Sequence, residues 1–278
     1  PVPKETVGVE RYISVEKGMT AQRALRYEDV TTEYILCLDD DLEFPSDTVE
    51  TMFKHLKSHS ADVISPDIFP NRLRSSHSEL MMTIAGRMRP RFRDNHWGYK
   101  VMPTAGYSYN KYPRKDVYVS QTNAGACFLC KKEDFLKINF EDELWLDKMQ
   151  YPLGEDQTMY YKMYCSGIKV LTWYNHQFIH LDAGNNMTRE KERKRLYGDV
   201  FYKLVFWHRF LYMPQKSVLK NLYNVLAIIY YILFTLSISF VKFDFDVLKS
   251  KLDAVKDAWS FIDSEEYKSL SRIVYNHE

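Results

Sequence analysis

The feature that most constrains this chain is an apolar run that leads directly into three consecutive acidic residues. Tyr34–Leu38 (Y-I-L-C-L) has the length of one strand and carries no charge, a pattern typical of a strand covered on both faces. Asp39, Asp40 and Asp41 follow without a break. Carboxylates this close oppose one another's ionisation unless a cation compensates them. The segment therefore predicts a strand ending in a cation-binding turn, and a solvated acidic turn that caps the next helix is the alternative.

The elements around this run predict an α/β fold. A helix is expected over residues 20–30 before the strand, another after Pro45 to about Ser58, and a second short strand at 62–65. Strands that alternate with helices favour a mixed, mostly parallel sheet flanked by helices. Since ligands bind at the carboxyl ends of the strands in open α/β sheets, Asp39 and Asp41 are placed where they could hold Mg²⁺ or Mn²⁺ through oxygen ligands.

The cysteine pattern indicates free thiols in a reducing compartment. All four cysteines lie in apolar, strand-like or helix-like segments, where unpaired thiols are usually buried. Two of them form a C-x-x-C, but no second pair at zinc spacing follows, so a zinc knuckle is the weaker interpretation. The four are Cys37, Cys127, Cys130 and Cys165.

A second acidic pair, Glu155 and Asp156, follows Gly154 and opens a helix-like segment that Gly167 ends. Acidic residues in a first turn are favoured by the helix dipole without any further role. The functional interpretation is that Asp156 is a general base that removes a proton from an attacking hydroxyl. A metal held by the aspartate triplet would then neutralise a departing diphosphate, so the two clusters would serve the two ends of one displacement.

His180 offers a third metal ligand. It follows the apolar pair at 178–179 in an expected strand, where a histidine is often structural. As a ligand beside Asp41 it would favour Mn²⁺ over Mg²⁺, because imidazole suits the softer ion. Both interpretations stay open.

Residues 71–114 are expected to form a long irregular insertion with a basic character. Ten Lys/Arg stand against two acids between residues 71 and 115, which points to phosphate groups or an anionic surface. Arg91, Arg93 and Trp97 are the insertion's candidates for contact with a substrate. The alternatives are a solvated basic loop and, since arginines alternate with aromatic residues, a site for single-stranded nucleic acid.

The last third of the chain predicts membrane contact. Residues 222–241 carry no charge, and twenty helical residues cover about 30 Å, the hydrocarbon thickness of a bilayer. A buried core or oligomer-forming helix is the alternative. Lys220 and Lys242 flank both ends, so charge gives no orientation. A basic, aromatic linker precedes this helix from residue 186, and an amphipathic helix follows at 246–267.

Four motifs in order resemble family-2 glycosyltransferases of the GT-A fold. They are Y-I-L-C-L-D-D-D-L-E-F-P, A-G-A-C-F-L-C-K-K-E-D-F, G-E-D-Q-T-M-Y-Y-K-M-Y-C-S-G-I-K-V and F-I-H-L. The resemblance covers roughly residues 7–185, which we therefore expect to form a catalytic domain. It implies a D-x-D motif in which Asp41 and Asp39 bind Mn²⁺ or Mg²⁺, with His180 as a further ligand.

The same resemblance implies an inverting transfer of sugar from a nucleotide-diphosphate donor to a glycan or lipid-linked acceptor. Glu155 and Asp156 match the family's E-D pair, whose Asp is the expected base, and Arg23, Asp39 and Asp40 stand at donor-binding positions. For such a transfer, Arg91, Arg93 and Trp97 would border the acceptor cleft, with Trp97 stacking on a sugar ring.

Family members open with a strand and a nucleotide-contacting Asp before the segment seen here. We therefore expect the N-terminal part of the nucleotide-binding half to be missing or to have diverged beyond recognition.

The resemblance also places the protein in the cytoplasm, at the inner face of the plasma membrane, because the C-terminal region resembles the membrane-associated tails of bacterial polysaccharide enzymes. A metal-dependent phosphohydrolase of a nucleotide or sugar diphosphate uses the same acids and is the alternative activity. No nucleic-acid partner is expected, and the oligomeric state is left open.

Overall fold

The computed structural model describes residues 11–68, 75–92, 94–149, 151, 153–174, 176–181 and 188–276. Two helical stretches are not α-helical, a 3₁₀ helix at Phe140–Lys148 and a π-helical stretch at Trp207–Tyr212. The α-helices are α1 (Met19–Arg23), α2 (Thr48–Ser58), α3 (Ser76–Ile84), α4 (Lys132–Lys137), α5 (Glu155–Cys165), α6 (Arg189–Phe206), α7 (Val218–Val241), α8 (Phe245–Ile262) and α9 (Glu265–Ser269). The strands are β1 (Tyr34–Leu38), β2 (Leu42–Glu43), β3 (Val63–Pro66), β4 (Met88–Arg91), β5 (Tyr99–Val101), β6 (Tyr107–Asn110), β7 (Val117–Ser120), β8 (Cys127–Lys131), β9 (Val170–Trp173) and β10 (Ile179–His180).

A five-stranded mixed sheet in the order β1-β8-β3-β9-β7 forms the centre of the fold. Strands β1, β3 and β9 run in one direction and β8 and β7 in the other. The α/β class and the mixed sheet are therefore confirmed. The expected predominance of parallel pairing is not found in this five-stranded sheet, where β3–β9 is the single parallel pair of neighbours among the described strands. A strand buried on both faces is apolar throughout whichever way it runs, so its sequence does not reveal its direction.

Helices cover both faces of this sheet. The side chains of β8 alternate, since Phe128 and Cys130 pack with α4 and α5 while Cys127 and Leu129 pack on the α2 side. Burial on both faces explains why the run C-F-L-C is apolar throughout. All four cysteines are free thiols, as predicted, and three of them are buried; Cys37 is half-buried.

The expectation that residues 71–114 are irregular is wrong. The described part of this stretch contains α3 and a small sheet in the order β4-β6-β5. Buried tyrosines hold this sheet together, among them Tyr99 and Tyr109, and the Tyr109 hydroxyl donates to Glu79 at 3.0 Å. Each strand has only three or four residues, too few for an alternating pattern to stand out in the sequence.

Helix α1 is shorter than the helix predicted over residues 20–30. It is held at its start by a distant side chain, because the backbone N–H of Thr20 donates to Asp147 at 3.0 Å. It ends at Arg23, and Tyr27 has a left-handed backbone with a φ of 52°, which an α-helix does not allow. Tertiary contact rather than local periodicity sets both ends.

The C-terminal helices pack against the sheet-containing part. Helix α6 continues directly into the π-helical stretch. Its Leu204 and Phe206 share a core with Trp145 of the 3₁₀ helix and with Tyr161 of α5. The boundary expected near residue 185 stays a prediction. Among the described helices, α7 alone is long and apolar enough, by length and composition, to cross a membrane. Its mean hydropathy is 2.0, and 22% of its most apolar segment is buried.

Candidate active site

The two acidic clusters meet at the guanidinium of Arg23. Its Nη1 donates to Asp156 Oδ1 at 2.6 Å, and its Nη2 lies 3.5 Å from Asp39 Oδ1. Asp39 follows the end of β1 and is fixed there by its backbone N–H, which donates to the Ala126 carbonyl at 2.8 Å. Asp156 lies in the first turn of α5. Two carboxylates that are far apart in the sequence therefore contact the same guanidinium in the fold.

Asp41 and His180 form the other end of the site. Strands β2 and β10 pair with His180 opposite Leu42, and this pairing places His180 Nε2 3.3 Å from Asp41 Oδ1. That oxygen is buried and has no hydrogen-bond partner among the described residues. Because a buried carboxylate oxygen that accepts no hydrogen bond is costly, its environment fits a bound cation.

The donor set suits a hard divalent ion. One ligand atom each from Asp39, Asp41 and His180 lies within 4.8 Å of the other two. Two carboxylates and one imidazole are ligands that Mn²⁺ accepts, and Mg²⁺ prefers the oxygens. The residues present therefore fit the predicted metal.

Gly125 forms the floor between the two clusters. A Cβ at this position would overlap both Asp156 Oδ1 and Arg23 Nη1, so no larger residue fits without breaking that contact. The motif A-G-A-C carries this glycine, and its position just before a strand is the signal for a close approach. Sequence reasoning did not single it out, because the atoms it accommodates come from distant segments.

The charges of the site perturb two of its groups. Burial raises the pKa of Asp39, as do the nearby Asp156 and Asp41 carboxylates, while Arg23 opposes this. The pKa of Arg23 is raised above its ordinary value, since Asp156, Glu155 and Asp39 together outweigh the effect of burial. Excess negative charge therefore surrounds one arginine, which is a favourable setting for a further cation.

Glu155 lies beneath this site and is buried. Burial raises its pKa to about 8, and the neighbouring Asp156 carboxylate adds to the rise, against the opposing effect of Arg23. Near neutral pH Glu155 therefore binds a proton more readily than an ordinary glutamate does. A carboxyl with a raised pKa beside a second carboxyl is a common feature of active sites.

We expect Glu155→Gln to remove a pH-dependent loss of stability. The folded state keeps the Glu155 proton above pH 4.5, the ordinary pKa, whereas the unfolded state releases it. Glu155 therefore favours folding most below pH 4.5, and this contribution is lost as pH rises to about 8. Melting temperatures of the metal-free protein between pH 5 and 9 check this. As pH rises, the melting temperature of the wild type should fall relative to that of the variant. Melting temperatures that change in parallel with pH would contradict the raised pKa of Glu155.

No hydrogen bond or ion pair between described residues joins Asp40, Arg91 or Trp97 to this cluster. Asp40 is exposed in the turn between β1 and β2. Arg91 pairs with Asp94 at 2.5 Å, and Arg93 lies outside the described residues. Their roles in donor and acceptor binding stay predictions.

Trp97 lies along α5 rather than at its start. Its ring centroid is 6.1 Å from that of Tyr164, and Tyr164 is eight residues beyond Asp156, about 12 Å along the helix axis. Lys100 Nζ lies 5.4 Å from the Trp97 ring centroid. A role in stacking on a sugar also stays a prediction.

Comparison with known proteins supports the resemblance seen in the motifs. Residues 11–132 match the family described as glycosyl transferase family 2, a range that contains Arg23, Asp39, Asp41 and Gly125. No curated protein matches the chain. The crystal structure of GalNAc-T7 with UDP, GalNAc and Mn²⁺ is similar to it, with 11% identity, a TM-score of 0.40, and coverage of 73% of this chain and 39% of that chain. The chain thus spans about two fifths of that structure's length, and at this TM-score the likeness bears on neither ligands nor activity.

Proposed function

We propose that this chain, whose residues 11–132 match glycosyl transferase family 2, is a metal-dependent inverting glycosyltransferase. It would move a sugar from a nucleotide-diphosphate sugar to a hydroxyl of a glycan or lipid-linked acceptor. The observation that carries this proposal is the contact of Arg23 with both Asp156 and Asp39. One site would thus combine a carboxylate for the attacking hydroxyl with a cation-binding cluster for the leaving group.

In the proposed reaction the acceptor oxygen attacks the anomeric carbon while the bond from that carbon to the diphosphate breaks. Asp156 accepts the proton of the attacking hydroxyl, and the electron pair of the broken bond leaves with the diphosphate. Asp39, Asp41 and His180 would hold a divalent ion, which would supply positive charge to that leaving group. Arg23 holds the Asp156 carboxylate in place at 2.6 Å and adds positive charge to the same region. The burial that raises the pKa of Glu155 disfavours a second negative charge beside Asp156.

The direct test is an assay of sugar transfer. Purified chain is incubated with Mn²⁺, a panel of nucleotide-diphosphate sugars and glycan or lipid-linked acceptors, and products are analysed by mass spectrometry. The proposal expects a glycosylated acceptor with inverted anomeric configuration. Release of nucleotide without any glycosylated product, at a rate unaffected by acceptor, would instead indicate a phosphohydrolase.

We expect Asp41→Asn to abolish metal-dependent nucleotide binding. In the wild type, a nucleoside diphosphate should raise the melting temperature only when Mn²⁺ is present, because ligand binding to the folded state stabilises it. The variant loses one carboxylate ligand and should show no such shift. A thermal-shift screen with UDP, GDP, ADP and dTDP, each with and without Mn²⁺, measures this.

Glu43→Gln is the matched control for this screen. Glu43 is an exposed carboxylate two residues after Asp41, in β2, and pairs through its backbone with Ile179. The shift should survive in Glu43→Gln. Equal shifts in wild type and Asp41→Asn would exclude Asp41 as a metal ligand.

A further inference from the structure

Helix α7 turns its polar side toward the protein and its apolar side toward the exterior. The stripe that packs inward consists of Ile228, Tyr231, Thr235 and Ser239, and three of these four side chains carry a hydroxyl. The opposite side is exposed and almost entirely apolar. Its large exposed residues are Leu219, Leu222, Tyr223, Leu226, Ile229, Tyr230, Leu233 and Phe240. A surface helix that faced water would bury its apolar side chains and expose its polar ones.

Buried polar contacts hold α7 in this orientation. The Tyr231 hydroxyl donates to Asp199 of α6 at 2.7 Å. Lys251 of α8 donates from Nζ to the Thr235 carbonyl at 2.8 Å and to the Ser239 hydroxyl at 2.9 Å. Rotating the helix to hide its leucines would leave these buried polar groups without partners, which is costly. The apolar side therefore faces outward because the polar side is bonded.

Helix α3 extends the same surface. The Tyr230 hydroxyl donates to the Ile84 carbonyl at the end of α3, at 2.7 Å. Leu80, Met81 and Ile84 are exposed there, while the acidic residue of α3, Glu79, is buried against Tyr109 and Lys111. We call the exposed side of α7 together with these three α3 side chains the α3–α7 face.

The size and charge of the α3–α7 face indicate what covers it. Its exposed apolar area is on the order of 1,000 Å², above the roughly 300–600 Å² of the largest patch on a typical monomer. No acidic residue occurs between residues 207 and 243, and Lys216, Lys220 and Lys242 are exposed at the two ends of α7. An apolar strip bordered by lysines matches the acyl region and the phosphates of an anionic lipid surface.

We propose that the α3–α7 face lies flat on one leaflet of an anionic lipid bilayer and does not cross it. A second copy of the chain fits less well, because a twofold contact places the same surface on both sides and no acid on this face would compensate the lysines. The described contacts of the face do not include Asp39, Asp41 or Asp156. The proposal therefore stands or falls independently of the proposed activity.

The packing of α8 argues for a helix in the membrane plane. Helix α8 runs back along α7, with the Phe240 and Phe245 ring centroids 6.4 Å apart at the turn and Lys251 bonded to Thr235. It exposes Lys249, Asp253 and Lys256. If α7 crossed the bilayer, these charges would enter the hydrocarbon with it, which is strongly unfavourable. In a flat orientation they stay in water.

The binding surface is tested by flotation of the full chain with vesicles. Vesicles of phosphatidylcholine with phosphatidylglycerol should bind the wild type, and vesicles of phosphatidylcholine alone should bind it more weakly. The double variant Leu226→Glu with Leu233→Glu changes two side chains that are 57% and 63% exposed, so folding should be unaffected. We expect it to lower the partition coefficient at least roughly 100-fold.

The matched control is Leu144→Glu with Val274→Glu, two side chains that are not part of the α3–α7 face and are 40% and 64% exposed. It should bind vesicles like the wild type. Equal losses in both double variants would overturn the proposal. So would a wild-type dimer in detergent-free buffer that becomes monomeric in the Leu226→Glu, Leu233→Glu variant while binding no vesicles, since a second copy would then cover the face.

The orientation is tested by labelling the two ends of α7 separately. Val218→Cys and Val241→Cys are made with the half-buried native Cys37 replaced by Ser, and each is bound to sealed vesicles. Both should react with a membrane-impermeant maleimide added outside, because both ends of a flat helix lie at the outer headgroups. Reaction at one end only would show a spanning helix and overturn the proposal.

Discussion

Asp156→Asn is expected to reduce sugar transfer by roughly 10²–10⁴-fold, the usual contribution of a general base. The amide oxygen can still accept the hydrogen bond that Arg23 Nη1 donates at 2.6 Å, so the contact between the two residues should be kept. It can no longer take a proton from the attacking hydroxyl. The Mn²⁺-dependent thermal shift with nucleoside diphosphate should therefore remain close to that of the wild type. Initial rates and thermal shifts measured on the same preparation separate the two effects.

Glu133→Gln is the control for this variant. Glu133 is an exposed acid in the first turn of α4, so the control also removes one carboxylate from a helix start. It should change the transfer rate little. If Asp156→Asn loses nucleotide binding to the same extent as transfer, Asp156 is a structural residue and the assignment of the base is wrong.

Glu143→Ala is expected to destabilise the protein by about 3–5 kcal/mol, because it leaves two buried cations without their carboxylate. Glu143 is fully buried and accepts hydrogen bonds from Lys162 Nζ and Arg209 Nη2, each at 2.8 Å, and from Trp145 Nε1 at 2.8 Å. Its pKa is lowered because Lys162 and Arg209 outweigh the effect of burial. The loss corresponds to roughly 10 °C in melting temperature for a domain of this size.

The acidic side of the stability curve gives a second measurement on the same residue. A carboxyl with a lowered folded pKa contributes stability above its ordinary value of 4.5, and this contribution is lost as pH falls through the folded pKa. The difference between wild type and Glu143→Gln should therefore shrink below pH 4.5. Both measurements use reversible unfolding followed by circular dichroism.

Glu266→Ala is the matched control, since Glu266 pairs with Lys148 at 2.7 Å on the exposed surface. Exposed pairs contribute about 0–1 kcal/mol, so this variant should melt within a few degrees of the wild type. If Glu143→Ala also melted within a few degrees of the wild type, Lys162 and Arg209 would have to be solvated. The buried network would then not join α5 to the C-terminal helices.

Local elements with a clear pattern could be predicted from the sequence. Tyr34–Leu38 is apolar throughout, and Glu155–Cys165 follows a glycine and begins with two acids, so β1 and α5 were expected near their observed bounds. Helix α2 followed from its apolar stripe. These signals lie within one element, where neighbouring residues alone decide the backbone.

The small sheet and the length of α1 could not be predicted in this way. Strands β4, β5 and β6 are short, and they are stabilised by tyrosines that meet only after folding. The first turn of α1 donates hydrogen bonds to Asp147, a residue more than a hundred positions away in the sequence, and this contact sets the start of the helix. Contacts of this kind leave no periodic trace in either segment.

The sequence by itself determined which groups are available for chemistry: the aspartates after β1, the acidic pair at the start of α5, and an uncharged helix near the end. Only the tertiary structure decided that Asp39 and Asp156 share Arg23, that Gly125 makes room for this contact, and that α7 turns its leucines outward. The physical reason is that each of these outcomes depends on atoms from distant segments. Burial and hydrogen bonding across the fold, rather than local preference, select them.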